Sequence, residues 1–304
     1  MPPSASNGIP NVTAANWAIH DGNTGRLLWQ KGGEEQREMA SLTKMMTLLV
    51  CNNLIQQYDV DPTKMIFTVD MSAASIVGTH SGLKEGEMIR VIDLFYGMML
   101  PSGNDAALTL AFGFGRLILE KRNKPLQGGL GSYFAEFIKE MNKLAGSLGL
   151  KSTKFNNPHG LSNKKNLSTV ADLGRIAFTA LKFPLIQKIV STQRYTAVVL
   201  TKESIEREII WRNTNKLLEK GFTGMKTGVT PNAGPCLSSL LRRNGESVII
   251  TLLNSKTMDH RWSETEELAN WALDNMFMIK GSLGSSGSKK RLTPLIFANL
   301  YNRS

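Results

Sequence analysis

Long apolar runs are missing from this 304-residue chain. Nothing approaches the roughly 18 uninterrupted apolar residues of a membrane-spanning helix, so no segment is expected to cross a bilayer. Cysteine is nearly absent as well. Cys51 and Cys236 stand far apart, in neither a C-x-x-C pair nor a metal-ligand spacing, and the four histidines are too dispersed for a zinc cluster. The two thiols read as small buried hydrophobes, with their pairing left open, and no metal or cofactor is implied. Only 11 residues are proline and 20% are charged, against 41% hydrophobic, which excludes wholesale disorder and fibrous structure. The opening Met1-Pro-Pro-Ser-Ala-Ser has neither a basic start nor an apolar run, so the chain as written shows no signal peptide.

Acid is in short supply relative to base. The balance is 36 basic against 25 acidic residues, a net charge of +11. From Gly281 onward the chain holds Lys289, Lys290, Arg291 and Arg303 and no acid, so a short tail carries part of the excess. No aromatic-interleaved basic patch or nucleic-acid motif accompanies it, and no nucleic-acid partner is expected. The Gly/Ser run at 281–288 reads as a linker, and the segment Leu292 to Tyr301 is too short and Pro-broken for a membrane anchor.

What is present is a mixture of strand and helix signals. Asp21-Gly-Asn-Thr-Gly25 lies between two short apolar runs and predicts an opening β-hairpin. From Ser41, Leu42, Met45, Met46, Leu49 and Val50 recur at helical spacing, so a buried helix begins there. Ile92 to Leu100 predicts a helix stopped by Pro101, and another starts near Asp105, which leaves Ser102-Gly-Asn104 in a tight loop between them. Further helices are predicted at 133–148 and 169–181, with a structured loop at Asn157-Pro-His-Gly160. Strands follow at 195–200, 207–211, 236–241 and 247–253, the last two joined by the hairpin signal Asn244-Gly245, and a terminal helix spans 264–278. Strands at both ends with helices between them predict an α+β fold in which the first hairpin joins the last strands. One catalytic unit is expected over residues 12–278, with a flexible basic tail over 279–304.

Three short motifs can carry chemistry. Ser41-Leu-Thr-Lys44 places a hydroxyl and an amine on one helix face, and a neutral lysine can activate a serine. The same spacing recurs at Ser81, Ser162 and Ser286, but in turn or linker sequence. On the spacing alone, Ser41 reads first as a helix N-cap with Lys44 solvated. Ser102-Gly-Asn104 offers a second hydroxyl and an amide from a loop, and Lys226-Thr-Gly228 can sit on an edge strand. Their order matches the set described for penicillin-interacting serine enzymes.

With these motifs in that order, the chain resembles the serine-type D-alanyl-D-alanine carboxypeptidases, low-molecular-mass penicillin-binding proteins of the peptidase S11 type with a β-lactamase-like fold. The likeness extends to the opening hairpin, Leu83-Lys-Glu-Gly86, Phe155-Asn-Asn-Pro-His-Gly-Leu161 and Gly224-Met-Lys-Thr-Gly228. It implies that Ser41 is the nucleophile, Lys44 its general base and Ser102 a proton relay to the leaving amine. It implies further that Asn104 holds the substrate amide, that Lys226 and Thr227 bind its terminal carboxylate, and that Gly228 lets substrate approach the strand. The oxyanion would meet the backbone N–H groups of Ser41 and Val229. The implied substrates are peptidoglycan stem peptides ending in D-Ala-D-Ala, the implied covalent inhibitors are β-lactams, and the family is extracytoplasmic. His159 receives no role.

Two alternatives use the same residues. A class A β-lactamase carries a Glu on an E-x-x-L-N segment after the second motif, and none lies between Asn104 and Lys226. A non-catalytic binding module could retain the fold without turnover.

Overall fold

The structure, a computed structural model, describes residues 8–284. Strands β1 (Asn16–Asp21) and β2 (Leu27–Lys31) form the opening hairpin. The short β3 (Arg37–Glu38) and a 3-10 turn at Ala40–Leu42 lead directly into α1 (Thr43–Gln57). Next come β4 (Ile66–Thr68), the single-turn α2 (Met71–Ala74) and β5 (Met88–Arg90), then α3 (Val91–Met99), α4 (Asn104–Lys121) and α5 (Gly129–Ser147). After β6 (Leu167–Ser168), α6 (Val170–Ala180) starts where the Thr169 hydroxyl accepts from Asp172 N. Helix α7 (Pro184–Ser191) begins on its proline, whose missing N–H costs nothing at a first turn. The hairpin β7 (Arg194–Leu200) and β8 (Glu206–Arg212) precedes β9 (Thr223–Thr230), β10 (Gly234–Arg243), β11 (Glu246–Leu253) and α8 (His260–Gly284).

The main sheet has the order β2-β1-β11-β10-β9 and its pairings are antiparallel. The first hairpin thus joins the last strands, as the α+β expectation requires. Asn244 and Gly245 both take positive φ between β10 and β11, the twist-matched turn of a two-residue hairpin. Strands β1 and β11 are buried on both faces. Trp17, Ile19, Val248, Ile250 and Leu252 pack with Leu268, Ala272 and Met276 of α8, whereas Ala18 and Ile249 belong to the helical core around α1 and α6. This double covering explains why both strands read as continuous rather than alternating apolar runs.

Helix α1 is the axis of that larger core. Met45, Met46, Leu48, Leu49 and Cys51 are fully buried on every side of it, so the helix lacks a solvated face over its first two turns. Cys51 and Cys236 are both buried and free. The terminal helix starts at His260, four residues before the sequence signal, and continues to Gly284, inside the run read as linker; the rest of that run and the tail lie outside the described residues. A second sheet, β4-β5-β7-β8, stands beside α3 and α4. No helix among the described residues is long and apolar enough to cross a membrane.

One buried base makes this packing sensitive to acid. His20 on β1 is fully buried, and burial first, then the nearby Arg175 cation, lowers its pKa from 6.5 to about 4. Between those values the unfolded chain binds a proton that the folded chain refuses, so stability present above pH 6.5 is lost as pH falls toward 4. Urea unfolding from pH 7 to 4.5 should show this decline, and His20→Gln should reduce its slope by about one proton. An unchanged slope in the variant would rule His20 out as the source.

Candidate active site

The site begins with a turn that cannot be a simple helix cap. Ala40 takes φ 48°, and Ser41 sits in the 3-10 turn ahead of α1 with no side-chain capping bond at the helix start. Its hydroxyl instead faces Lys44, whose Nζ lies 3.0 Å from Ser41 Oγ. Lys44 is fully buried and also donates to Asn104 Oδ1 at 2.7 Å and to the His159 carbonyl at 2.7 Å. Two of its three neighbours can only accept. A neutral amine satisfies them with its two N–H groups and keeps its lone pair for the third, the Ser41 hydroxyl, which can donate. Burial, then the charge of Lys226, holds the Lys44 pKa well below the ordinary lysine value, with Asp105 opposing.

The amide of Asn104 is oriented by its other end. Its Nδ2 donates to Val77 O at 2.8 Å, which leaves Oδ1 for Lys44, and its backbone N donates to Thr79 O at 2.8 Å. Ser102, in the link between α3 and α4, takes φ 67° and lines the same cleft. The Thr79 hydroxyl donates to the Ser102 carbonyl at 2.6 Å, so one loop, 77–79, holds both residues of the second motif.

Strand β9 closes the other side as an edge strand, the position its sequence context suggested. Lys226 and Thr227 are buried, with Lys226 Nζ 3.1 Å from the Thr227 carbonyl. A Cβ on Gly228 would lie 3.0 Å from Ser41 N and 3.0 Å from Ala40 Cβ. The glycine therefore lets β9 lie against the Ser41 turn. Val229 follows at the rim, half exposed.

Together these elements form a cleft of about 320 Å³, lined by Ser41, Ser102, Asn104, Thr227, Gly228 and Val229, with the buried Lys44 bonded to Ser41 and Asn104 and the buried Lys226 to Thr227. All eight residues singled out from the sequence meet here. The recurrences at Ser81 and Ser162 do not line it, and Ser286 lies outside the described residues.

A model of the D-alanyl-D-alanine carboxypeptidase family matches residues 4–115 and 127–257. The chain belongs to that family. It is 33% identical over 272 residues to the D-alanyl-D-alanine carboxypeptidase of Streptomyces sp. strain K15, covering 86% of this chain and 88% of that protein. It is 30% identical to the carboxypeptidase DacF of Bacillus subtilis, over 82% of this chain and 59% of the relative. The crystal structure of the Streptomyces K15 DD-transpeptidase superposes with a TM-score of 0.80 at 32% identity, over 88% of this chain and 100% of that one. The α+β architecture is thus the fold of the DD-peptidases.

In this family member, one cation of the cleft was missed by sequence reasoning. Arg261, in the first turn of α8, is nearly buried, donates from Nη1 to Gly228 O at 3.2 Å and stacks over Trp262 at 4.3 Å. Its Nε has no hydrogen-bond partner among the described residues. Burial pulls its pKa down to about 10, and burial followed by the Arg261 charge lowers Lys226 to about 7. The available signal was the position of the helix start: begun at His260 rather than Glu264, α8 brings its first turn back to β9.

His159 acts through its backbone carbonyl on Lys44, while its ring Nδ1 accepts from Leu161 N at 3.1 Å. Next to it, Gly160 takes φ 89°, and a Cβ there would lie 1.9 Å from Ala40 O and 2.9 Å from Ser41 N. Gly160→Ala must therefore displace the Ser41 turn. A shift of about 1 Å at a nucleophile costs on the order of 100-fold, so the rate of Ser41 acylation by a fluorescent penicillin should fall by about that factor while far-UV circular dichroism is retained. Labelling at the wild-type rate would mean that the loop does not support the turn.

Proposed function

We propose that Ser41, activated by Lys44, hydrolyses the terminal peptide bond of peptidoglycan stem peptides ending in D-Ala-D-Ala, with β-lactams acylating the same hydroxyl. The supporting observation is the buried amine 3.0 Å from Ser41 Oγ whose other two contacts are acceptors.

Ser41 Oγ attacks the carbonyl of the penultimate D-alanine as its proton passes to Lys44 Nζ. The oxyanion that forms is met by the backbone N–H groups of Ser41 and Val229, a reading supported by the close approach of Gly228 to Ser41 N. The C–N bond then breaks, Ser102 relays the proton to the departing amine, and D-alanine leaves. Water attacks the ester, Ser41 recovers its proton, and the shortened peptide is released. Asn104 Nδ2 has a second hydrogen beyond the one given to Val77 O, and it binds the substrate's backbone carbonyl.

The terminal carboxylate lies against Lys226, Thr227 and Arg261. Two cationic side chains, Lys226 and Arg261, crowd this cleft beside the Lys44 amine, and burial lowers the pKa of all three. An arriving carboxylate relieves the repulsion between them and completes hydrogen bonds to Lys226 and Thr227. The catalytic unit occupies residues 12–278, and it works in the extracytoplasmic space where its substrate is found.

Two measurements test this reading. Incubated with a fluorescent penicillin and with an N-acyl-D-Ala-D-Ala peptide, the wild type should retain label on Ser41 and release D-alanine, and Ser41→Ala should do neither. Rapid loss of label with consumption of penicillin would point to a β-lactamase, and label without peptide turnover to a binding module. Peptide joined to added glycine in place of release would redirect the reading to transpeptidation.

The second measurement concerns protons. Lys226, brought to about 7 by burial and then the Arg261 charge, is half neutral at pH 7, and a bound carboxylate restores its charge, so binding takes up protons. Calorimetry of Ser41→Ala with the peptide, in buffers of different ionisation enthalpy, should show uptake of about half a proton at pH 7, approaching one at pH 8. Release, or no exchange, would remove Lys226 from the carboxylate site.

A further inference from the structure

Three consecutive residues between β8 and β9 have no part in the mechanism above, yet each ties down a different element. Asn213 Nδ2 donates to Val190 O at 3.2 Å and to Thr192 O at 3.1 Å, at the end of α7. Asn215 Nδ2 donates to Gly224 O at 2.9 Å and to Ser239 Oγ at 3.3 Å, which holds the start of β9 against β10. Between them, Thr214 N donates to Leu100 O at 3.0 Å, just ahead of Pro101 and Ser102. Thr214 is thereby fixed on both flanks and through its own backbone. Its side chain lines the cleft, with Oγ1 2.7 Å from Thr227 Oγ1.

That short contact has a direction once a ligand is bound. Each hydroxyl has a single proton, and a carboxylate can only accept. If Thr227 gives its proton to the carboxylate, its oxygen must accept in the 2.7 Å contact, and Thr214 must be the donor. Lys226 Nζ, the other group near that oxygen, stands at 3.5 Å, the outer limit of a hydrogen bond. Links in such a chain polarise one another, and the last, to a charged acceptor, gains most.

We propose that Thr214 is a positioning residue whose hydroxyl donates to Thr227 Oγ1 and so turns the Thr227 proton toward the terminal carboxylate of the substrate. This rests on the reading of Lys226 and Thr227 as the carboxylate cradle. Thr214 also couples the two walls of the cleft, because the residue that aims the third motif hangs by its backbone from the lead-in to the second.

Thr214→Val keeps the volume and the backbone bond but removes the hydroxyl; Thr214→Ser keeps the hydroxyl. Both are compared with wild type for kcat and KM on an N-acyl-D-Ala-D-Ala peptide, and for the rate of Ser41 labelling by a penicillin and by its methyl ester, which has no carboxylate. Thr214→Val should lose about tenfold in kcat/KM, chiefly through KM, and about tenfold in labelling by the free acid. Labelling by the ester should stay within about twofold of wild type, and Thr214→Ser should restore the acid rates. Unchanged acid rates in Thr214→Val, an equal loss on acid and ester, or failure of Thr214→Ser to rescue would each overturn the proposal. A wild type that neither cleaves the peptide nor takes the label would overturn the reading beneath it as well.

Discussion

A lysine amine sealed from water between the Ser41 hydroxyl, the Asn104 amide oxygen and the His159 carbonyl is the contact on which the rest of this structure depends. Leaving an amine without partners in such a place is costly, so each partner must be held from behind. Asn104 is held by Val77 and Thr79, and their loop is held by Asp105, whose carboxylate accepts from Ser81 N and Leu83 N. On the opposite side Asn157 Oδ1 accepts from Gly160 N at 2.6 Å, and the Thr47 hydroxyl donates to Pro158 O at 2.6 Å, clamping the His159 loop onto α1. The Ser41 turn is tied by Thr43 Oγ1, which donates to Ala40 O and accepts from Asn166 Nδ2. The cleft therefore comes as one piece, with backing residues contributed by four separate stretches of chain.

Charge explains why the piece is built this way. Burial lowers the pKa of Lys44, Lys226 and Arg261, and the charge of Arg261 adds to the shift on Lys226 as that of Lys226 does on Lys44: Lys44 lies well below the ordinary lysine value, Lys226 at about 7 and Arg261 at about 10. The deepest amine is thus available as a base while the outermost group keeps its charge. The Asp105 carboxylate opposes these effects on Lys44, and it is already occupied by backbone N–H groups, so it offsets the cations only in part. A cleft so arranged favours an anionic ligand over a neutral one.

Much of the architecture was legible because local signals and burial agree. The Asn244-Gly245 turn, the apolar helix after Ser41 and the Pro101 break all appear where their chemistry puts them. The short strands β3 to β6 went unread, since a two- or three-residue strand has no period, and α7 went unread although Pro184 and the helical spacing of Ile186, Ile189 and Val190 mark it. Arg261 and Thr214 were illegible for another reason: neither belongs to a spaced motif, Arg261 reaches the cleft from a helix whose start the sequence marks weakly, and Thr214 reaches it from a link between elements.

The sequence by itself determined the reactive groups and their local geometry, because S-x-x-K spacing on a helix, a tight loop after Pro101 and a Lys-Thr-Gly strand depend on neighbours a few residues away. It also determined that Ser41 would head a helix with no solvated face. Only the tertiary structure decided that the helix would not be capped by Ser41, because the competing partner, Lys44, is pressed against that hydroxyl by groups 60 and 115 residues away in the chain. The same holds for the charge state of that amine. A pKa follows from desolvation and neighbouring cations, and both exist only after α1, α4, β9 and the first turn of α8 have closed on one another.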